Sequence, residues 1–389
     1  NYSDLTNLYA DILLAKKDHD EFVNFACKIL DTGKFYGDLF SKLQKHNQKK
    51  IKAQYVEVVK ASTVMLESYQ SNLEMRANVA IAHNCLAEHY QSTDKNLSEE
   101  HYIKANFNVA AMQRASLYSH QKMFLNLINF FDSFDERDLK SQIDPEKGTG
   151  LIFVIGMPRS GTTLTESILS TADNIKPGGE KIFFPNNLWD IFSESKSGGL
   201  LNPNFIQELG DRYLSTIAMQ RDGRLFFIDK LPANFLYYRF IHLCFPKAKF
   251  VHTYRDPWDN AISLFKANFQ DTLSYSTSFF GIGNYYANYL ALMRFWKKKY
   301  GNDIFFDAEY ENLVSNTEKT TTQLWKYCGL QGSFSLEKRK DHYANTASQQ
   351  QVSQDIYKTS LKKKEFEKYK SEFYESLEQQ GEFWQKKEI

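Results

Sequence analysis

The sequence predicts an α/β fold in two parts: an all-α helical domain over residues 1–146, then a three-layer domain around a parallel sheet over 147–389. Before about residue 143, apolar residues recur at three- and four-residue steps and proline is absent, which favours helices. After residue 150, short β-rich runs at 151–156, 225–229, 249–254 and 303–308 alternate with helical stretches, which favours crossover units and a parallel sheet. A chain of 389 residues is also longer than one ordinary core requires.

The helical region places alanine beside large apolar residues, as in AIAHNCLAEHYQ. That pattern suits closely packed helix pairs of the tetratricopeptide (TPR) type. Because no clean 34-residue period is present, an irregular helical bundle stays equally open. The segment DPEKGTG (144–150) contains one proline and two glycines, and we interpret it as the connection between the domains.

Composition and charge narrow the classes of function. A net charge of +1 gives no global field for nucleic acid, and no apolar run is long enough to span a bilayer. Four cysteines without CxxC spacing argue against a zinc ribbon and favour a reducing, cytoplasmic location. His83, Cys85 and His89 offer two ligands on one helix face and no third, so no metal site is expected. The chain starts at Asn1 rather than Met, which leaves a removed targeting segment open.

The segment GMPRSGTT directly follows the apolar run LIFVIG and precedes a helical pattern, which predicts an anion-binding loop of the P-loop type. Gly161 would let the backbone approach an anion, and backbone N–H groups at the helix N-terminus would point into it. Thr162 stands where a nucleoside-triphosphatase has lysine. Arg159 and the hydroxyls instead suit a single phosphate with a charged group attached. The candidate binding residues are Pro158, Arg159, Ser160, Gly161, Thr162 and Thr163.

The segment KFVHTYRDPWDNAISLF predicts a strand followed by a helix, with Asp256 as the N-cap. Arg255 at the strand end suits bidentate phosphate recognition, and Ser263 in the helix adds a hydrogen-bond donor. Alternatively, Arg255 simply pairs with the carboxylate of Asp256 or Asp259.

Together these two segments resemble the sulfotransferases that use 3′-phosphoadenosine-5′-phosphosulfate (PAPS). The loop MPRSGTT is similar to the family's 5′-phosphosulfate loop, and Arg255 with Ser263 is similar to its 3′-phosphate motif. The chain looks most like the tyrosylprotein sulfotransferase-like branch and like bacterial proteins that join a helical-repeat region to a sulfotransferase domain. The likeness covers about residues 150–375. It implies PAPS as co-substrate, 3′-phosphoadenosine-5′-phosphate (PAP) as product, and no metal.

The resemblance implies roles for further residues. Glu180 in PGGEKIF would be the general base, while Lys230 and Arg159 would stabilise the departing 5′-phosphate. Tyr310 in EYENLV would lie near the nucleotide. Ser348 falls in the tail TASQQQVSQDIYKTSLKK, which resembles a nucleotide-closing segment but departs from the family's more usual QVRxPIY.

Simpler interpretations stay open at this point. Glu180 would then be a solvated loop acid, Lys230 an ion-pair partner of Asp229, and Tyr310 ordinary packing. A P-loop kinase or triphosphatase is one alternative function, with Asp229 as the magnesium carboxylate and the missing loop lysine against it. A non-catalytic scaffold with a nucleotide-binding domain is another.

The acceptor is not identified by the sequence: a peptide tyrosine, a glycan hydroxyl, or a small alcohol or amine all remain open. The helical region would serve a partner protein or a homodimer. No nucleic-acid partner and no membrane span are expected.

Overall fold

The chain forms two compact units in the computed structural model. The first unit contains residues 1–116, 261–282 and 364–372, and the second contains 117–260, 283–363 and 373–389. The structure describes residues 2–16, 18–46, 50–68, 73–112, 117–136, 143–193, 202–267, 269, 273–332, 334–335 and 364–387.

The first unit is helical, which confirms the helical character predicted for the N-terminal region. Its N-terminal helices are Tyr2–Ala15, His19–Asp31, Gly37–His46, Ala53–Glu67, Leu73–Tyr90 and Lys95–Met112. The last two of these pack against each other along their length. A core that includes Phe22, Leu39 and Tyr55 lies between the first five helices. The TPR-like character of this unit, and the domain boundary at residue 146, stay predictions.

The second unit is built on a five-stranded parallel sheet within the part of the chain that the structure describes. The spatial order is β2-β3-β1-β4-β5. The strands are β1 (Leu151–Gly156), β2 (Ile175–Pro177), β3 (Phe226–Lys230), β4 (Lys249–Tyr254) and β5 (Phe306–Glu309).

Helices surround this sheet and connect its strands. The helices Pro257–Lys266, Phe279–Tyr300 and Lys370–Gln385 each include residues of both units. Short 3₁₀ turns occupy Pro232–Phe235, Ser274–Thr277, Asn302–Ile304 and Glu367–Tyr369. The remaining helices are Leu117–Ser133, Thr162–Leu169, Phe183–Ser193, Pro203–Arg221, Tyr238–Cys244, Tyr310–Ser315 and Thr317–Cys328.

Strand β1 lies at the centre of the sheet and is buried along its whole length, as expected for a parallel strand covered on both faces. From β1 the chain builds β2 and β3 on one side, then β4 and β5 on the other. The carboxyl end of β1 is therefore the switch point, where open α/β sheets bind their ligands.

The sequence located four of these strands and missed β2. That strand has only three residues and ends in proline, which is too short for a periodic signal. The run predicted at 303–308 becomes a strand only from Phe306, because a 3₁₀ turn occupies Asn302–Ile304. The N-cap is confirmed: the Asp259 N–H donates to Oδ1 of Asp256 at 2.9 Å. Among the described residues, no helix is both long enough and apolar enough to cross a membrane.

Candidate active site

The predicted anion-binding loop, residues 156–163, is called the phosphate loop below; it leaves β1 at Gly156 and enters the helix Thr162–Leu169. A Cβ atom at Gly156 would lie 2.1 Å from the Thr253 carbonyl oxygen, so only glycine fits there. Arg159 and Gly161 have φ values of +67° and +108°. Glycine tolerates this left-handed conformation, whereas arginine adopts it at a cost that the surrounding structure must offset.

Neighbouring elements hold this loop in place. The hydroxyls of Ser160 and Thr253 are 2.9 Å apart and buried, and Nδ2 of Asn260 donates to the Pro158 carbonyl at 3.0 Å. The side chains of Ser160 and Thr162 are almost fully buried, while Arg159 is half-buried. The loop is therefore fixed before any ligand binds, as a helix N-terminus that accepts an anion requires.

Arg255 and Tyr310 follow two paired strand ends and lie together. Tyr254 pairs with Glu309 in the sheet, so the next residue of each chain segment emerges at the same edge. The Arg255 guanidinium carbon lies 4.4 Å from the centre of the Tyr310 ring, a cation–π contact. A Cβ atom at Gly161 would lie 2.6 Å from that ring. The structure thus brings Arg255 and Tyr310 to the phosphate loop.

The alternative interpretation of Arg255, an ion pair with a nearby aspartate, is also partly met. Its Nη2 lies 3.7 Å from Oδ2 of Asp259, and both side chains are buried. Ser263 is buried in the helix Pro257–Lys266 but belongs to the first unit, so its role stays a prediction. Ser348 lies outside the described residues.

Glu180 and Lys230 form an ion pair at the carboxyl end of the sheet. Nζ of Lys230 donates to Oε1 of Glu180 over 2.5 Å. The lysine side chain is 0% exposed, whereas that of Glu180 is 47% exposed. Lys230 pairs in register with Val154 of β1, only two residues before the phosphate loop begins. The site therefore places a buried cation and an accessible carboxylate beside the phosphate loop.

Asp229 points to the opposite face of β3, because side chains alternate along a strand. It is 1% exposed, and the Tyr213 hydroxyl donates to its Oδ2 at 2.8 Å. Burial raises the pKa of Asp229 to about 7. Lys230 thus pairs with Glu180, and Asp229 is not placed to hold magnesium at the phosphate loop.

The raised pKa of Asp229 gives a pH-dependent prediction. Between pH 3.8 and about 7 the unfolded chain releases this proton while the folded protein keeps it, so rising pH lowers the free energy of unfolding. Relative to Asp229→Asn, the free energy of unfolding of the wild type should fall by up to about 4 kcal/mol across this pH range, since one pKa unit is worth about 1.4 kcal/mol. Urea unfolding of both proteins at several pH values measures the difference.

Asp222→Asn is the matched control, because Asp222 is exposed and has the left-handed conformation that asparagine tolerates. Its free energy of unfolding should stay within about 0.5 kcal/mol of the wild type, as is usual for an exposed substitution. A pH-independent difference for Asp229→Asn would show that Asp229 is ionised in the folded protein.

His252 of β4 is a buried core residue rather than a general base. Its Nδ1 lies 2.7 Å from Oδ1 of Asp307, and its Nε2 bonds to the Tyr289 hydroxyl. Burial lowers the pKa of His252, so the neutral form is favoured. With both ring nitrogens engaged, this histidine serves packing rather than proton transfer.

Sequence reasoning missed Glu166, a carboxylate that is 1% exposed within the phosphate-loop helix. The Gly179 N–H donates to its Oε1 at 3.0 Å. The available signal was a glutamate in the helical pattern LTESILS, among residues that are otherwise apolar or small.

The chain is similar in sequence to several known proteins. Residues 152–334 match the model of the sulfotransferase family. An uncharacterized protein of Aquifex aeolicus (strain VF5) is 29% identical over 347 residues, which cover 83% of this chain and 44% of that protein. A putative protein-tyrosine sulfotransferase of Caenorhabditis briggsae is 33% identical over 112 residues, which cover 27% of this chain and 39% of that protein. The chain thus spans less than half the length of both relatives.

Two solved structures are also similar. The sulfotransferase domain of the Synechococcus PCC 7002 olefin synthase aligns with 60% of this chain and 88% of its own, at 17% identity and a TM-score of 0.37. A sulfotransferase of Mycobacterium tuberculosis H37Rv aligns with 82% of this chain and 98% of its own, at 16% identity and a TM-score of 0.32. The family match covers the strands and loops that carry the phosphate loop, Glu180, Lys230 and Arg255. The α/β part of this chain, residues 152–334, is thus similar to the sulfotransferase family.

Proposed function

We propose that this chain transfers a sulfuryl group from PAPS to a hydroxyl or amine acceptor by in-line displacement. One observation carries the proposal: the carboxyl end of β1 brings together the phosphate loop, the Lys230–Glu180 pair and the Arg255–Tyr310 pair. Each group would meet a different requirement of the transfer reaction. The function thus rests on the site rather than on the fold.

The phosphate loop would hold the 5′-phosphosulfate end of PAPS. Its backbone is fixed by the contacts of Ser160 and Pro158 and offers N–H groups at a helix N-terminus, where the helix dipole favours an anion. Arg159 supplies a cation at the middle of the loop. Arg255, stacked on Tyr310, would hold the 3′-phosphate with its guanidinium, and Ser263 would add a hydrogen bond. Ser348 would belong to the segment that closes over the nucleotide.

Transfer would form a bond between the acceptor oxygen or nitrogen and sulfur. The bond from sulfur to the bridging oxygen breaks, and its electron pair stays on the 5′-phosphate of PAP. Lys230 and Arg159 would stabilise this developing charge, as fixed cations do in phosphoryl transfer. The acceptor proton would pass to the carboxylate of Glu180.

The ion pair between Lys230 and Glu180 fits both roles. In the structure Lys230 donates to Glu180. The donor phosphate would bring a competing anion to the same ammonium group, which has three N–H donors. As negative charge grows on the leaving oxygen, Lys230 would shift its hydrogen bonding toward the phosphate. The Glu180 carboxylate would then be available to the acceptor.

A calorimetric titration with PAP, with and without magnesium, tests the donor assignment. The wild type should bind PAP without a metal. Arg255→Ala should lose on the order of 2–3 kcal/mol of binding free energy, or about 30- to 150-fold in affinity, because it removes a charge-assisted contact. Arg212→Ala, an exposed arginine of the same unit, is the matched control and should bind as the wild type does.

Two results would count against this proposal. Magnesium-dependent ATP binding without PAP binding would support a kinase or triphosphatase. PAP binding without sulfuryl transfer to any acceptor class would support a scaffold. The acceptor panel should include tyrosine peptides, suggested by the name of the Caenorhabditis briggsae relative, together with glycans, small alcohols and amines.

A further inference from the structure

We propose that Glu166 is a positioning residue. It fixes the backbone next to Glu180 and so sets the position of the proposed general base relative to the acceptor. This inference rests on the function proposed above, because it treats Glu180 as the base. Glu166 does not itself touch the donor or acceptor. It acts through the backbone of Gly179, the residue before Glu180.

Gly179 connects Glu166 to the backbone of Glu180 through its hydrogen bonds. Its N–H donates to Oε1 of Glu166 at 3.0 Å, and its carbonyl accepts from the Lys230 N–H at 3.0 Å. Its φ of +66° favours glycine. Both backbone hydrogen-bonding groups of this one residue are therefore used, the N–H by the phosphate-loop helix and the carbonyl by the strand that carries Lys230.

The flanking residues leave the loop little freedom. The Gly178 N–H donates to the Ile228 carbonyl at 2.8 Å, and a Cβ atom at Gly178 would lie 2.3 Å from the Phe227 ring. On the other side of Glu180, the Lys181 backbone hydrogen-bonds Asp229. The backbone is thus held on both sides of Glu180. The buried side chain of Glu166 binds Gly179, and that of Asp229 binds Lys181.

Glu166 is an unusual choice for a purely structural contact. It is 1% exposed, and its Oε2 atom is buried without a hydrogen-bond partner among the described residues. A buried polar atom left unpaired costs roughly 1–3 kcal/mol, so packing alone would favour a smaller or apolar residue. Burial raises the pKa of Glu166, and the nearby positive charge of Lys230 acts against that shift. The Glu166 side chain instead contacts the loop that carries Glu180 and lies near the positive charge of Lys230.

Sulfuryl-transfer kinetics of Glu166→Met and Glu166→Gln test this role. Methionine has a similar length but cannot accept from Gly179, whereas glutamine keeps an accepting oxygen. We expect Glu166→Met to lower kcat by about tenfold to a hundredfold, with PAP affinity and the KM for PAPS unchanged, because misplacing a reacting group is costly. Glu166→Gln should recover most of the loss. Equal losses in both variants, or a loss in PAP affinity that matches the loss in kcat, would overturn the inference.

The double variant with Glu180→Gln separates positioning from general destabilisation. If Glu166 acts through Glu180, adding Glu166→Met to Glu180→Gln should lower kcat little further. A full multiplicative loss would mean that Glu166 acts elsewhere. Thermal unfolding of each variant shows whether it is folded.

Hydrogen exchange tests the inference without activity and without a variant. In the wild type the Gly179 amide should exchange at least about tenfold more slowly than that of Gly223, an exposed glycine that also has positive φ. Exchange at the same rate would refute the anchoring of Gly179 by Glu166.

The two proposals can fail separately. If no acceptor is ever sulfated, the proposed function fails, while hydrogen exchange still decides whether Glu166 anchors Gly179. If sulfation is found but Glu166→Met behaves as the wild type, the inference alone fails.

Discussion

Replacing Glu180 with Gln should lower kcat for sulfuryl transfer by about 10²–10⁴, the contribution of a positioned general base. Glutamine keeps the size of the side chain and still accepts a hydrogen bond from Lys230, but it cannot take a proton from the acceptor. PAP affinity should stay close to that of the wild type, because the role proposed for Glu180 concerns the acceptor proton and not the nucleotide. Steady-state kinetics with radiolabelled PAPS, beside PAP calorimetry, measure both quantities.

Glu146→Gln provides the control for this experiment. Glu146 is also an exposed glutamate paired with a lysine, since its Oε1 lies 2.9 Å from Nζ of Lys247. It lies in the turn before β1, away from the carboxyl end of the sheet. Its loss should leave kcat unchanged. A Glu180→Gln variant that turns over at the wild-type rate would remove Glu180 from the mechanism and leave the acceptor proton to another base.

Replacing Lys230 with Met should lower kcat by about 10²–10³, the usual loss when one fixed group that stabilises developing charge is removed. The free energy of unfolding should not fall in parallel with kcat. Lys230 is 0% exposed, and exchanging a buried charge for an apolar side chain of similar volume is often neutral or stabilising. The partner Glu180 is 47% exposed and remains solvated by water. We therefore expect a folded, equally or more stable protein that has lost most of its activity.

Lys247→Met is the matched control for this second experiment, since Lys247 is the lysine of the exposed ion pair with Glu146. It should change neither kcat nor the unfolding temperature appreciably, as expected for a surface ion pair. If Lys230→Met lost activity only in proportion to lost folded protein, Lys230 would be a structural residue. The separation of activity from stability is thus the deciding observation.

The two halves of the site differed in how much the sequence revealed. The phosphate loop is local: an apolar strand, two glycines at P-loop spacing and a helix start lie within about fifteen residues. Arg255 was located by the same logic, from a strand end followed by an N-cap that the structure confirms. Such signals need no knowledge of the tertiary structure, because neighbours in the chain create them.

The base side of the site was predicted only through the family resemblance. Glu180 and Lys230 are fifty residues apart in the chain, and no local pattern says that they meet. The side to which Lys230 points depends on the register of β3 against β1. Glu166 was missed because a glutamate in a helical pattern normally faces solvent.

The sequence by itself determined a helical region followed by a parallel α/β sheet, a loop suited to a phosphate, and an arginine at a strand end. The tertiary structure decided which carboxylates meet Lys230 and Gly179, and which one turns away toward Tyr213. The physical reason is that propensity and backbone conformation act between near neighbours. Burial and hydrogen bonding join residues that only the packed sheet brings together, and they determine which charges are paired.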